Sequence, residues 1–517
     1  MHIWCASSAE RITTNSRITK NATNSLRLDS AKNMTVCGQI CLRDVKDFTI
    51  SSVEFINLPK GVTAKYNFVE NVVYNDGVPY PDKLSKKPSP FVKAHATEIV
   101  YVLFSVPKTA DTGEYNVDVK ITTDRGEFTA NILLKVYGSI LPCVKDQKFN
   151  HEYFYTPYTY FDDNVRLGTI PDDFYKFNLY SPEWWDFLKE QIKALKELRV
   201  NVFYLSPMTY LQDAGSKRVS DTEWNFNFET VEKILDFSLS NGEFSRIAVE
   251  ANLASVTGET VRAIDYDGKT VLLPLKEKQA KFWLNAYFSA LYDFFKRKGV
   301  LDMVYMHLED EPHFRKQWVL ARKICRECMP NVRCGEPIDT GSVAVKLGGE
   351  CDVYIPRLEV FKKHKKFFIN RQNKGDEVWC YSCCYPEEAW WLNKFIDLPH
   401  VYSRLIKWAC FSNEITGFLH WGFAYWYVTL YGVNADARFK GDGFIVYPDV
   451  ENGSVLLSAR AVATREGIQE YELLNMLYKK SPEKAIKISK KVASSFDKFN
   501  EKMIDNAKRE ILELLED

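Results

Sequence analysis

The chain has 517 residues, 46% of them hydrophobic and 26% charged. That is the profile of a globular protein too long for one hydrophobic core, so two or more domains are expected. Lys plus Arg and Asp plus Glu both number 68, so no global field draws the chain to nucleic acid or to an anionic membrane.

The start, "MHIWCASSAERITTNSR", lacks the basic and apolar regions of a signal peptide, and no run approaches the ~20 apolar residues of a membrane span. A cytoplasmic location is expected, or a periplasmic or secreted one if a leader has been removed. Up to residue 143 the pattern is all-β. "FTISSVEFINL", "EIVYVLFSVP", "GEYNVDVKITTD" and "GEFTANILLKVYG" alternate apolar and polar residues between turn signals. Gly126 in "TTDRGEF" suits a hairpin connection that needs positive φ. A β-sandwich over residues 1–143 is the economical arrangement for such a series.

After "GSILPCVKD" the period changes. "SPEWWDFLKEQIKALKELRV" predicts a helix with Ser181 as N-cap, Pro182 in its first turn, and Trp184, Leu188, Ile192 and Leu195 on one face. "NVFYLSP" follows as a strand. A helix around "NFETVEKILDFSLSNG" leads to the strand "RIAVEAN". The helix "KEKQAKFWLNAYFSALYDFFKRKG", with Lys296, Arg297 and Lys298 before Gly299, leads to "LDMVYMHL". Similar pairs continue through "NVRCGEP", "CDVYIPRL", "EVWCYSCCYP" and "TGFLHWGFAYW". Some eight alternations of strand and helix predict a (β/α)₈ TIM barrel, and no Gly-rich phosphate turn favours a doubly wound sheet. The barrel domain is assigned to residues 144–517, including a helical C-terminal tail.

The twelve cysteines show no small-domain disulfide pattern. "CREC" (Cys325, Cys328) and "CYSCC" (Cys380, Cys383, Cys384) lack a matching second pair of zinc ligands, so packing thiols are expected and no metal or cofactor. Aromatic residues reach 14%. They serve either a large core or the stacking of sugar rings.

The chemistry concentrates in "VYMHLEDEPHF". An apolar strand ends in Glu309, Asp310 and Glu311, and Pro312 marks the exit. In a barrel this is the catalytic mouth. Carboxylates crowded in a partly dry cleft cannot all ionise, so at least one is pushed toward protonation near neutrality. A protonated carboxylic acid is what cleavage of a glycosidic bond requires. Strand alternation would point Glu309 and Glu311 one way and Asp310 the other, but it loosens beyond the strand end, and the pair facing the pocket stays open on spacing alone.

"HLEDEP", "EVWCYSCCYPE", "ITGFLHWGFAYW", "GDGFIVYPD" and "SARAVATREGIQEYELL" occur in the order found in the catalytic domain of glycoside hydrolase family 123, which this chain resembles over most of residues 145–480. The resemblance implies an N-terminal β-sandwich followed by a (β/α)₈ barrel. It also implies retaining exo-β-N-acetylgalactosaminidase activity by substrate assistance, with a glycan ending in a 2-acetamido sugar as partner. Glu311 would then be the general acid/base, and Asp310 the residue that orients the acetamido group. Tyr381 is a candidate donor to the acetamido oxygen, and Trp421 a candidate floor for the sugar ring. Trp379, Glu250, Asn252 and Glu336 are candidates for sugar hydroxyls. His307 is expected to be a packed histidine, and Asp442 part of a rim loop. A preference for the gluco epimer, or a binding protein without turnover, are the alternatives. The oligomeric state is not readable.

Overall fold

The computed structural model describes residues 1–74, 76–85, 91–155, 159–162, 165–167, 175, 177–251, 260–312, 315–426 and 439–516. The N-terminal region holds β1 (His2–Ser7), β2 (Ser25–Lys32), β3 (Met34–Arg43), β4 (Ile50–Ile56), β5 (Thr63–Val73), β6 (Pro79–Ser85), β7 (Thr97–Val106), β8 (Gly113–Thr123) and β9 (Gly126–Ile140). One sheet has the order β1-β3-β7-β5-β6 and the other β2-β9-β8-β4. Alternation sets the inward face: Val117, Val119 and Ile121 of β8 are buried while Asp118 and Lys120 between them are not. Gly126 closes the β8–β9 hairpin with φ +118°. A Cβ on Gly38 of β3 would stand 2.3 Å from Leu26 Cδ2 of β2, so this glycine lets the two sheets approach.

Two compact units divide the chain. The first comprises Met1–Lys148, Glu387–Glu414 and Trp426–Asp517, and the second Phe149–Pro386 and Ile415–Tyr425. The C-terminal helices therefore group with the N-terminal sheets, whereas the sequence pattern assigns them to a barrel domain of residues 144–517. Long-range ion pairs supply the reason. Arg460, in the nearly all-buried helix Ala459–Lys480, donates from Nε to Asp82 of β6 at 3.0 Å, and Tyr447 donates to the same carboxylate at 2.6 Å. Arg404 donates to Glu470 at 2.9 Å and to Asp505 at 2.9 Å. Removing one partner of such a buried pair costs about 3–5 kcal/mol, because a charge is left alone in a dry interior.

The second unit is built on parallel strands: β10 (Asn150–Tyr153), β11 (Val202–Leu205), β12 (Arg246–Glu250), β13 (Val304–His307), β14 (Arg333–Ile338), β15 (Val353–Pro356), β16 (Glu377–Val378), β17 (Cys380–Tyr381) and β18 (Gly417–His420). They form a six-stranded sheet β11-β12-β13-β14-β15-β16 and a three-stranded sheet β10-β18-β17. The Trp379 N–H donates to the Tyr354 carbonyl at 2.8 Å, and Arg357 pairs in parallel with Tyr381, so the sheets meet at that edge. At the other edge the rings of Phe154 and Tyr204 lie 4.7 Å apart, with no ladder between β10 and β11 among the described residues. Val202, Tyr204, Ala248, Tyr305, Ile355, Tyr381 and Leu419, drawn from both sheets, share one buried cluster.

The helices between these strands follow the expected signals. Ser181 accepts from the Trp184 N–H at the start of Pro182–Glu197, and Trp184, Leu188, Ile192 and Leu195 are buried. Helix Lys278–Lys298 ends on Gly299 in the left-handed region, with Lys296, Arg297 and Lys298 in its last turn. Because every strand runs the same way, all their C-terminal ends open on one edge, where the acidic turn lies.

Candidate active site

All four residues of β13 are buried, and Leu308 and Glu309 after it remain so; the backbone then turns out to solvent at Asp310. Glu311 takes φ +50°, a left-handed conformation that a non-glycine residue adopts only at a cost. The turn is held from behind by Glu336 of β14. Its completely buried carboxylate accepts the N–H of Leu308 at 2.8 Å, the N–H of Glu309 at 3.3 Å and the indole N–H of Trp318 at 2.9 Å. Burial pushes Glu336 up to about 7 against the opposing effects of His307 and these hydrogen bonds. Glu336, expected among the sugar binders, thus has its oxygens committed to the backbone of the acidic turn.

The three acids separate. Glu309 turns inward beside Glu336, and burial first, then the charges of Glu336 and Asp310, raise it to about 8. Asp310 is open to solvent on one side with protein massed around the others. That loss of hydration raises its carboxyl to about 7; Glu311 adds to the rise and His307 opposes it. Glu311 accepts a hydrogen bond from the hydroxyl of Tyr381, at the end of β17. Burial and the Glu311 charge keep that phenol well above its ordinary value.

Beneath the turn lies a network that the sequence does not announce. Glu152 of β10 is completely buried and accepts from Tyr305 Oη and from His307 Nε2, the latter at 3.1 Å. His307 Nδ1 lies 2.6 Å from the Gly335 carbonyl oxygen. Burial works against a charge on this ring, but Glu152 outweighs it and His307 is raised to about 9. The acid in the aromatic run "NHEYFY" was the available signal for Glu152.

Glu250 ends β12 opposite His307, and its charge acts on both Asp310 and the buried hydroxyl of Tyr204. Trp421 follows β18, half-buried, with its ring 5.2 Å from that of Tyr425. Asn252 lies outside the described residues. Trp379 is completely buried and faces the opposite edge of the sheet from the acidic turn. Its indole N–H donates to Glu377 at 3.0 Å, near Arg246 at the start of β12. A Cβ at Gly417 would stand 2.5 Å from the Trp379 ring, so the indole fills space a glycine leaves. Its role is packing, which corrects its assignment to a sugar hydroxyl. Asp442 is buried and belongs to the first unit.

All twelve cysteines are free thiols. Among the described residues no group of three or more His, Cys, Asp or Glu is placed to hold a metal ion, and no helix is long and apolar enough to cross a membrane.

Comparison with known proteins bears on this arrangement. A family 123 glycoside hydrolase from Clostridium perfringens, described in work on glycolipid glycan hydrolysis, aligns over 100% of this chain and 96% of its own. The identity is 14% and the TM-score 0.76, so this likeness shows the fold. A bacterial Ig-like domain-containing GH10 xylanase from termite gut covers 87% of this chain and 100% of its own at 9% identity, with a TM-score of 0.36. The endo-β-1,4-mannanase of Thermotoga petrophila covers 64% and 78% at 12% identity, with a TM-score of 0.37. These two looser likenesses carry no weight. No curated protein matches the sequence. The family model for the glycoside hydrolase 123 catalytic domain matches residues 171–477, more than half of the chain and all of the acidic turn. The chain belongs to glycoside hydrolase family 123.

Proposed function

We propose that this glycoside hydrolase is a retaining exo-β-N-acetylgalactosaminidase that removes terminal β-linked GalNAc by substrate-assisted catalysis. The observation that carries the reading is the difference between two adjacent acids: Asp310 feels the charge of His307, which is itself paired with Glu152, and Glu311 accepts from the hydroxyl of Tyr381. Two neighbouring carboxylates with unlike surroundings suit two unlike tasks. The glycan of a glycolipid, named for the Clostridium relative, is the substrate class the reading adopts. The two parallel sheets are read as the wall of a (β/α)₈ barrel, and the two N-terminal sheets as a β-sandwich.

In the first step the carbonyl oxygen of the 2-acetamido group attacks the anomeric carbon. The bond to the leaving oxygen breaks, and Glu311 gives that oxygen its proton. Asp310, ionised, accepts the acetamido N–H and offsets the positive charge that grows on the oxazolinium ring. In the second step water attacks the anomeric carbon, Glu311 takes its proton, and the acetamido group is released. Two inversions retain the β configuration, and no enzyme nucleophile is needed, so the usual spacing rule for paired carboxylates does not apply.

Tyr381, within hydrogen-bond reach of Glu311, is assigned to donate to the acetamido oxygen. Trp421 is assigned to the sugar's apolar face, and Glu250 with Asn252 to its hydroxyls. Glu336 is reassigned from sugar binding to positioning the turn. A panel of chromogenic β-glycosides of GalNAc, GlcNAc and the corresponding 2-hydroxy sugars tests the reading. Turnover is expected for GalNAc above GlcNAc and almost none for the 2-hydroxy sugars. Faster cleavage of the 2-hydroxy sugars would refute it.

A further inference from the structure

Cys383 and Cys384 are the only two cysteines that stand next to each other in the sequence. Both are half-buried free thiols. Cys37, Cys325 and Cys410 are instead sealed in the interior, where burial lifts each thiol to about 12 and keeps it inert. The Sγ atoms of the adjacent pair lie 3.8 Å apart, at a bend just past the end of β17. The Cys383 N–H donates to the Tyr385 carbonyl at 3.1 Å, which closes the bend around the two residues.

Arg357 flanks this bend. Its backbone pairs in parallel with Tyr381, and its guanidinium lies 4.9 Å from the ring of Tyr385. The guanidinium also pairs with Glu359, yet its charge and that of Cys383 act on each other. A neighbouring cation favours the thiolate, which is the form that reacts with an oxidant. Cys383 is therefore the attacking thiol, and Cys384 beside it the one that resolves.

We propose that Cys383 and Cys384 form a redox modification site, which a peroxide closes to a vicinal disulfide and a thiol reductant reopens. The Cys383 thiolate attacks one oxygen of hydrogen peroxide and the O–O bond breaks. This leaves a sulfenic acid and a hydroxide, which takes up the proton of the thiol and departs as water. The Cys384 sulfur then attacks the sulfenic sulfur; the S–S bond forms, and the hydroxyl leaves with the Cys384 proton as a second water. Two electrons pass from the thiols to peroxide oxygen. Adjacent Cα atoms stand about 3.8 Å apart, less than a disulfide ordinarily spans, so the ring is strained and readily reduced. Closure brings the sulfurs from 3.8 Å to about 2.0 Å, and this movement falls close in sequence to Tyr381, the donor to Glu311. Oxidation is therefore expected to lower glycosidase turnover, a consequence that rests on the assignment of Glu311 as the acid.

Peptide mass analysis of the intact chain after treatment with hydrogen peroxide tests this. The peptide carrying Cys383 and Cys384 is expected to lose about 2 Da, the mass of two hydrogens, and to regain it with dithiothreitol. Cys384→Ser, or Cys383→Ser should that one fold poorly, is expected to abolish the loss, and Cys380→Ser to keep it. Two thiols that persist, oxidation to a sulfinic acid in place of the loss, or a loss that Cys380→Ser abolishes overturns the proposal. The second readout is turnover of the aryl β-GalNAc glycoside. In the oxidised parent it is expected to fall on the order of tenfold and to recover on reduction, and Cys384→Ser to lose much less under the same treatment. A disulfide that forms with turnover unchanged overturns the link to Tyr381. If the reduced parent cleaves no GalNAc glycoside, the glycosidase reading fails, and the mass loss still decides the disulfide.

Discussion

His307 donates to two acceptors at once, the Glu152 carboxylate at 3.1 Å from Nε2 and the Gly335 carbonyl at 2.6 Å from Nδ1. A carbonyl and a carboxylate both call for N–H on the ring, so the imidazole is held as a buried cation. Glu311, Glu250 and Glu336 each push Asp310 toward its protonated form, and this cation is the opposing charge that acts on it. Replacing it by His307→Gln should raise the carboxyl of Asp310 further above its present value of about 7. The acid limb of the kcat/KM profile should move up by about one pH unit, with about tenfold loss near pH 6 and little loss near pH 8.5. A uniform loss across pH would mean that His307 only packs.

The same crowding of acids sets a stability trend. Glu309 is raised from 4.5 to about 8, Asp310 from 3.8 to about 7 and Glu336 from 4.5 to about 7. The folded chain therefore holds these protons more tightly than the unfolded chain does. Their contribution to stability is full below about pH 4 and is lost as pH rises through 7 to 8. Thermal unfolding of Glu309→Gln should show a shallower decline between pH 5 and pH 8, ending on the order of a few degrees above the parent at pH 8. A parallel decline in both proteins would contradict this.

The roles of the two outer acids separate by leaving group. Glu311→Gln should lower turnover by about 10²-fold or more on a sugar leaving group and much less on an activated phenol, which departs without a proton. Asp310→Asn should damage both, because both need the oxazolinium ring. Equal losses on the two substrates for Glu311→Gln would reverse the assignment.

In the first unit, Arg460→Ala leaves Asp82 buried without its 3.0 Å partner. Equilibrium denaturation should show a loss of about 3–5 kcal/mol. A loss below about 1 kcal/mol would mean that the pair is merely tolerated.

Much of the site is legible in the amino-acid sequence because its signals are local. A buried strand ending in acids and a proline states its own exit, and the caps at Ser181 and Gly299 mark helix ends that the structure reproduces. The direction of a side chain near a strand end is not local. Glu336 reads as a mouth residue, yet it turns under the neighbouring strand because the N–H groups of Leu308 and Glu309 need an acceptor there. Trp379 reads as a candidate for a sugar hydroxyl, yet Gly417 gives it an interior slot. The grouping of the C-terminal helices is equally hidden, since Arg460 meets Asp82 across 378 positions of chain. Nothing in the spacing of either residue announces that pair.

Substrate assistance is the centre of this account, and one measurement bears on it most directly. A stable thiazoline mimic of the bicyclic intermediate should bind the parent protein at least about 10²-fold more tightly than the matching GalNAc glycoside. Asp310→Asn should remove most of that advantage, since its carboxylate is the assigned partner of the ring nitrogen. A thiazoline that binds no better than the glycoside, or one whose affinity ignores Asp310, would contradict the account.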